Sequence, residues 1–214
     1  SDGNEKFPYY RTTLSRAVTS KLKKQTMSES ILFEILKKSK ENKEIIGIWK
    51  YNDDDGFWAG YVKDYNEELV TIQHFTKYGK SDGIIVERIE NIKSVDFDDD
   101  YAKAMQCLID YSSELDKDNP FEIELNDNEE WQIGILKQLE GTDRIARLEI
   151  NGSDYFSGFI KRLSESDLII HCVGKMGEDE GTVFYRIEDV TAVRVNDIEN
   201  RKRVMLFNWR KASL

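Results

Sequence analysis

Two stretches decide how the chain folds: residues 57–99, FWAGYVKDYNEELVTIQHFTKYGKSDGIIVERIENIKSVDFDD, and residues 155–197, YFSGFIKRLSESDLIIHCVGKMGEDEGTVFYRIEDVTAVRVND. At an offset of 98 they align without a gap and share 12 of 43 residues. Background residue frequencies predict roughly two or three. The identities include Gly60 with Gly158, Lys63 with Lys161, Gly79 with Gly177, Gly83 with Gly181, and Arg88-Ile89-Glu90 with Arg186-Ile187-Glu188. Other positions keep their character, as in Trp58 to Phe156, Tyr61 to Phe159 and Val62 to Ile160. The chain reads as a tandem duplication.

Each copy resolves into short β-prone runs separated by turn residues. In the first, Ile45–Tyr51, Phe57–Tyr65, Leu69–Phe75, Ile84–Ile89 and Ile92–Phe97 read as strands. Turns are expected at Asn52–Gly56, Asn66–Glu68, Tyr78–Gly83 and Glu90-Asn91. In the second, the strands fall at Ile145–Ile150, Tyr155–Leu163, Leu168–Val173, Thr182–Ile187 and Val190–Val195. Helices flank them. Ser28 precedes Ile31, Leu32, Ile35 and Leu36 at helical spacing, and Ile35-Leu36-Lys37 recurs as Ile135-Leu136-Lys137 on a helix carrying Trp131 and Leu139. Tyr101, Ala104, Met105, Leu108 and Ile109 form an amphipathic stripe after the first strand set, and Ile198–Trp209 repeats it less regularly. Both stripes are expected to cover the ends of the strand sets. The polar stretch Leu115–Pro120 contains a helix-breaking proline and marks the boundary. Phe121–Leu125 is compatible with a strand or a helix. The organisation is therefore a basic extension at 1–27, a first helix-plus-barrel repeat at 28–116 and a second at 117–214.

The fold class expected is mainly β with flanking α-helices, as two tandem five-stranded barrels. An N-terminal helix followed by five short, strongly bent strands resembles the Sm-like variety of SH3-like barrel, and Gly60-Tyr61-Val62-Lys63-Asp64-Tyr65-Asn66 is similar to that family's first motif. A glycine at that point permits the sharp bend that lets one strand serve both sides of a small barrel. The resemblance implies ring assembly, with packing of the two joined barrels against each other, or a dimer, as the alternative. Sm-like proteins that hold RNA place an aspartate and an asparagine around the loop after the bent strand, and an arginine-glycine pair before the last strand. Here Asn66-Glu67-Glu68 and Ser164-Glu165-Ser166 occupy the first region, and Arg88-Ile89 and Arg186-Ile187 lack the glycine of the second. Uridine binding is not implied.

Composition narrows the function further. Hydrophobic residues make up 39% of 214, enough for two small cores. No apolar run approaches the roughly 18 residues of a membrane helix, and Ser1–Tyr10 lacks the pattern of a signal peptide. Two cysteines in different halves, Cys107 and Cys172, make no disulfide framework and no zinc spacing. A reducing, cytoplasmic location is the expectation, although a chain starting without methionine leaves room for a removed leader or tag. The net charge of -10 disfavours RNA or single-stranded DNA as a partner. The charge is uneven: residues 10–43 carry +6 and the remainder -16. Arg11, Arg16, Lys21, Lys23 and Lys24 are the candidate anion-binding residues, either against the acidic body or against a nucleic acid.

Catalytic chemistry finds no constellation to use. His74 and His171 are the only histidines, and His171 aligns with Gln73, so they are not a repeated pair. Gly79 and Gly83 lack the lysine and hydroxyl residue of a phosphate loop. A calcium loop needs acidic ligands at alternate positions before its glycine, and ahead of Gly56 the first of these is filled by Tyr51, so Asn52–Gly56 reads as a hairpin turn; the aspartates at 96 and 98–100 fit helix capping. No catalytic residue, cofactor or metal is expected. The aromatic set Trp49, Tyr51, Phe57, Trp58, Tyr61, Phe75 and Tyr78 is mostly core material, with a stacking platform or a cation cage as the functional alternative. Trp58, Tyr78 and Lys80, beside turns, are the candidate partner-binding residues. The expected function is a noncatalytic interaction or scaffold protein, its partner another protein or a second copy. The alternative is RNA or single-stranded DNA binding through the basic segment and barrel loops.

Overall fold

Alternating apolar residues and tight turns bring each half of the chain into one antiparallel sheet. The computed structural model describes residues 30–51, 56–117 and 120–212. The first half runs α1 (Ile31–Asn42), β1 (Ile46–Lys50), β2 (Phe57–Tyr65), β3 (Leu69–Phe75), β4 (Ser81–Arg88), β5 (Ile92–Phe97) and α2 (Asp100–Asp110). The second runs α3 (Trp131–Leu139), β6 (Ala146–Ile150), β7 (Asp154–Leu163), β8 (Asp167–Val173), β9 (Asp179–Arg186), β10 (Val190–Val195) and α4 (Ile198–Ala212). Strand order is the same in both, β5–β1–β2–β3–β4 and β10–β6–β7–β8–β9. Matching 3-10 turns at Ile89–Asn91 and Ile187–Asp189 join the fourth strand to the fifth.

The backbone repeats down to single hydrogen bonds. Ile89 N donates to Glu68 O and Ile187 N to Ser166 O, both at 2.9 Å, while Tyr51 N reaches Asn91 O as Asn151 N reaches Asp189 O. Gly60 faces His74 across the strands and Gly158 faces Cys172, so His171 does stand where the first half has Gln73. A register shift follows each glycine, between Val62 and Asp64 and between Ile160 and Arg162. Such bulges increase bend and twist. The glycines themselves are required by proximity. A Cβ at residue 60 would lie 1.9 Å from Gln73 O, and one at residue 158 would lie 2.1 Å from His171 O.

Several boundaries differ from the sequence expectation. β4 begins at Ser81 and β9 at Asp179, each three residues earlier than the alternation indicated. Gly83 and Gly181 have φ of 82° and 79° and look like turn residues, yet they sit inside the strands where the register with β3 and β8 shifts. The β6–β7 hairpin is two residues shorter than β1–β2, so the elements before it align at an offset of 100, which is why Leu36 matches Leu136. α1 is preceded by Ser30 as its N-cap, and Ser28 lies outside the described residues. Ile31 and Trp131 leave the helical stripes, being 72% and 43% exposed. Phe121–Leu125 forms neither helix nor strand. The expected turn residues 52–55 lie outside the described residues, as do residues 1–29 with Arg11, Arg16, Lys21, Lys23 and Lys24.

Each sheet wraps a core lined by its preceding helix. Leu36 of α1 meets Ile46, Ile48, Val62, Val70 and Ile72; Leu136 and Leu139 of α3 meet Leu148, Ile160, Leu168 and Ile170. Ser39 is buried on α1, where its Oγ donates to Glu44 O and accepts from Val62 N, tying the helix to the bent strand. No helix among the described residues is long and apolar enough to cross a membrane.

Gly60→Ala and Gly158→Ala are each expected to destabilise the protein by about 3 kcal/mol, because a methyl must displace a backbone carbonyl. Gly56→Ala, at a site with no atom within 4 Å of the new methyl, is expected to change stability by less than about 0.5 kcal/mol. Denaturant midpoints of the three variants measure this.

Candidate interaction surfaces

The helices that follow the two sheets fold back over their own third-to-fourth strand turns and then meet each other. Gly79, at φ 73°, would put a Cβ 2.3 Å from the Leu108 backbone, and Gly177, at φ 78°, would put one 2.5 Å from Leu206 Cβ. α2 and α4 lie antiparallel. Arg210 near the end of α4 makes a bidentate pair with Asp100 at the start of α2, at 2.7 and 2.6 Å. Arg201 near the start of α4 donates to Leu115 O beyond the end of α2, at 3.1 Å. Met105, Leu108 and Leu206 are buried between them, with Tyr78, Ile109, Met176, Met205 and Trp209 packed around.

A charged knot crosses this seam. Glu199 accepts from Lys77 and, at 2.8 Å, from the Tyr78 hydroxyl, and it lies 3.3 Å from the Lys202 ammonium. Lys202 is only 3% exposed and lies over the Tyr78 ring. Burial alone would raise the Glu199 carboxyl, but the hydrogen bonds from Lys77 and Tyr78 and the charge of Lys202 outweigh it and bring its pKa to about 2. Burial lowers Lys202, opposed by Glu199. Both cysteines are free and buried, and burial pushes both thiols up, with Asp110 adding to this at Cys107 and Glu180 at Cys172. Neither is an activated nucleophile.

Beside the knot, the seam opens into a cleft of about 450 Å³ between the halves, with Tyr111, Leu115, Ile145, Asn200, Met205 and Trp209 among its walls. Asn200 is 2% exposed and its Oδ1 has no hydrogen-bond partner, which offers one buried acceptor at the wall. Among the described residues no three His, Cys, Asp or Glu side chains are grouped to hold a metal ion. Asp99 instead caps α2, accepting from Ala102 N at 2.7 Å.

The open strand edges form a different kind of surface. β4 and β9 are terminal strands, and among the described residues no strand pairs with their outer side. Ile84 and Val86, two residues apart on one face of β4, are 53% and 59% exposed, and Phe184 of β9, equivalent to Val86, is 59% exposed. Apolar side chains beside an unpaired edge are the usual template for adding another strand.

The residues singled out from sequence do not share one surface. Trp58 packs on the α1 side of the first core, edge-on to His74 at 5.5 Å, with Lys50 over its ring at 4.8 Å. Tyr78 is part of the seam. Lys80 pairs with Asp116. Ile84, Val86 and Phe184 fall within expected strands, but alternation alone does not say which face another layer covers, so their exposure carries no signal in the sequence. Comparisons with family models, curated proteins and solved structures return no match.

Because the Glu199 pKa is lowered by folding, its stabilising contribution is complete above its ordinary value of 4.5 and is lost as pH falls towards about 2. Glu199→Gln is expected to lower the Tm at pH 7, and the gap from the parent protein is expected to close between pH 4.5 and 2. Thermal melts of the two proteins across that range measure it.

Proposed function

We propose that the chain is an interaction or scaffold protein without catalytic activity, built as a basic extension at 1–27 followed by two Sm-like barrels at 28–116 and 117–214. The fold part of this reading is supported by the repeated strand order, the helix before each sheet, the glycine-bulge bend in β2 and β7, and the 3-10 turn before each last strand. The observation that carries the functional part is the pair of open edges at β4 and β9 with Ile84, Val86 and Phe184 outward. A strand from another protein, or from a second copy, would gain main-chain hydrogen bonds there and seat alternate side chains on these residues. The seam leaves both edges available, because it uses α2, α4 and the turns before β4 and β9.

The alternative is RNA or single-stranded DNA binding through Arg11, Arg16, Lys21, Lys23 and Lys24 and the barrel loops. Against the loops, the Asn66 side chain is engaged within its own turn, its Oδ1 accepting from Glu68 N and Leu69 N at 2.8 Å. Ser164 Oγ plays a matching part, accepting from Asp167 N at 2.9 Å.

Sedimentation velocity and affinity capture, run on the full chain and on a Val86→Lys/Phe184→Lys variant, test the proposal. Either self-association or a stoichiometric protein partner is expected, reduced at least about tenfold in the variant. A strictly monomeric chain that recovers no protein at several salt concentrations overturns it. Salt-sensitive retention of single-stranded oligonucleotides, lost on neutralising the five basic residues, would establish the alternative.

A further inference from the structure

At the opposite side of the first sheet's strand order from β4, three aromatic rings and two carboxylates converge. Trp49 on β1 stacks on Phe57 on β2, centroids 4.7 Å apart, and Phe57 meets Tyr101 of α2 edge-on at 5.2 Å. Trp49 Nε1 donates to Asp96 Oδ2 at 2.6 Å. Phe57, Tyr101, Asp96 and Asp99 line a cleft of about 220 Å³ together with Ile45, Ile46 and Gly47. Gly47 lets the Phe57 ring settle onto the strand, since a Cβ there would lie 2.9 Å from Phe57 Cδ2. Among the described residues neither Asp96 nor Asp99 has an ion-pair partner, whereas neighbouring Asp98 pairs with Lys103 and Asp100 with Arg210.

The second repeat shows what such a place can hold. Its cross-strand pair Glu149 and Tyr155 occupies the register of Trp49 and Phe57, and Arg147 stands where the first repeat has Gly47. The Arg147 guanidinium lies over the Tyr155 ring at 4.5 Å from its centroid. Tyr155 donates to Glu149 at 2.6 Å. Opposite the strand, Arg194 replaces Asp96. One copy thus carries its own cation on the ring; the other has glycine in place of that cation, a ring at the same place with two more beside it, and Asp96 where the first-named copy has Arg194.

We propose that the Phe57–Tyr101 cleft, beside Trp49, binds the guanidinium group of an arginine in a partner protein. A guanidinium is planar and weakly hydrated, so it stacks on an aromatic face while donating to a carboxylate beside it. The cleft supplies both, with Asp96 held in place by Trp49. The volume accommodates the head group and part of its methylene stem. The inference rests on the interaction reading only in taking the ligand to be part of a protein, and it uses none of the β4 or β9 edge residues, so either can fail without the other.

The test uses the full chain and the peptide acetyl-Gly-Arg-Gly-amide, with its lysine and citrulline counterparts, followed by calorimetry and by the Trp49 indole N–H signal in NMR. The arginine peptide is expected to shift that signal saturably, the lysine peptide to bind several-fold more weakly, and the uncharged citrulline peptide to leave it in place. Phe57→Ala and Asp96→Asn are each expected to weaken binding about tenfold. Tyr155→Ala, in the other repeat, is expected to leave it unchanged. Gly47→Arg, which copies the second repeat's own cation into the first, is expected to abolish binding; if that variant does not fold, the surface change Asp96→Asn carries the test. Equal binding of the citrulline or lysine peptide overturns the proposal, as does full binding by Phe57→Ala and Asp96→Asn, or no saturable shift at about 10 mM peptide, where even millimolar affinity would register. Binding that appears only after Arg11→Gln and Arg16→Gln replacement would make this chain's own basic segment the occupant and overturn a partner protein in that role.

Discussion

Where β2 crosses β3, the chain comes so close to itself that residue 60 can carry no side chain: the Gln73 carbonyl oxygen occupies the space a Cβ would need. The same holds at residue 158 against His171. These are backbone-to-backbone approaches, so no rotamer change relieves them. The bulge that follows each glycine turns the rest of the strand, and Val62 and Ile160 are thereby buried beneath α1 and α3. The pairing order of both sheets, and the position of the helices that cover them, follow from that bend.

A second pair of glycines carries the architecture from one sheet to two. Gly79 and Gly177 allow α2 and α4 to lie directly on their own strand turns, which presents the far side of each helix to the other. The apolar contact of Met105, Leu108 and Leu206 is flanked by charge at both ends, with Asp100 and Arg210 at one and the Glu199 knot at the other. A buried lysine beside a carboxylate is tolerated because the tyrosine ring and the ion pair together replace its hydration. Duplication has therefore kept the backbone and changed the faces. Tyr101 of the first copy lines a cleft, while the corresponding Glu199 of the second holds the halves together.

Most of the strand plan was legible in the sequence because turn chemistry and alternation act over a few residues. β2, β3, β5 and β10 match their expected limits, and the stripe Ala104, Met105 and Leu108 is buried. The starts of β4 and β9 were not legible, since a glycine at positive φ looks the same in a turn and in a bulge, and only the cross-strand register separates the two. Tyr78 and Lys80 lie beside a turn. What engages Tyr78 is a glutamate 121 positions later, a contact with no local signal. Trp49 and Phe57 stand in an aromatic set compatible with a cation cage, but Tyr101, which meets Phe57 edge-on, is in the sequence one more residue of a helical stripe.

The repeat, most of the strand and helix positions, and the glycines without which the strands could not bend are legible in the sequence, because each depends on the conformational limits of residues close together in the chain. Which surfaces remain open follows from the fold. Exposure is a property of what segments about a hundred residues apart do to one another, and among the described residues those contacts close over Tyr78 and leave the β4 and β9 edges and the Phe57 cleft uncovered.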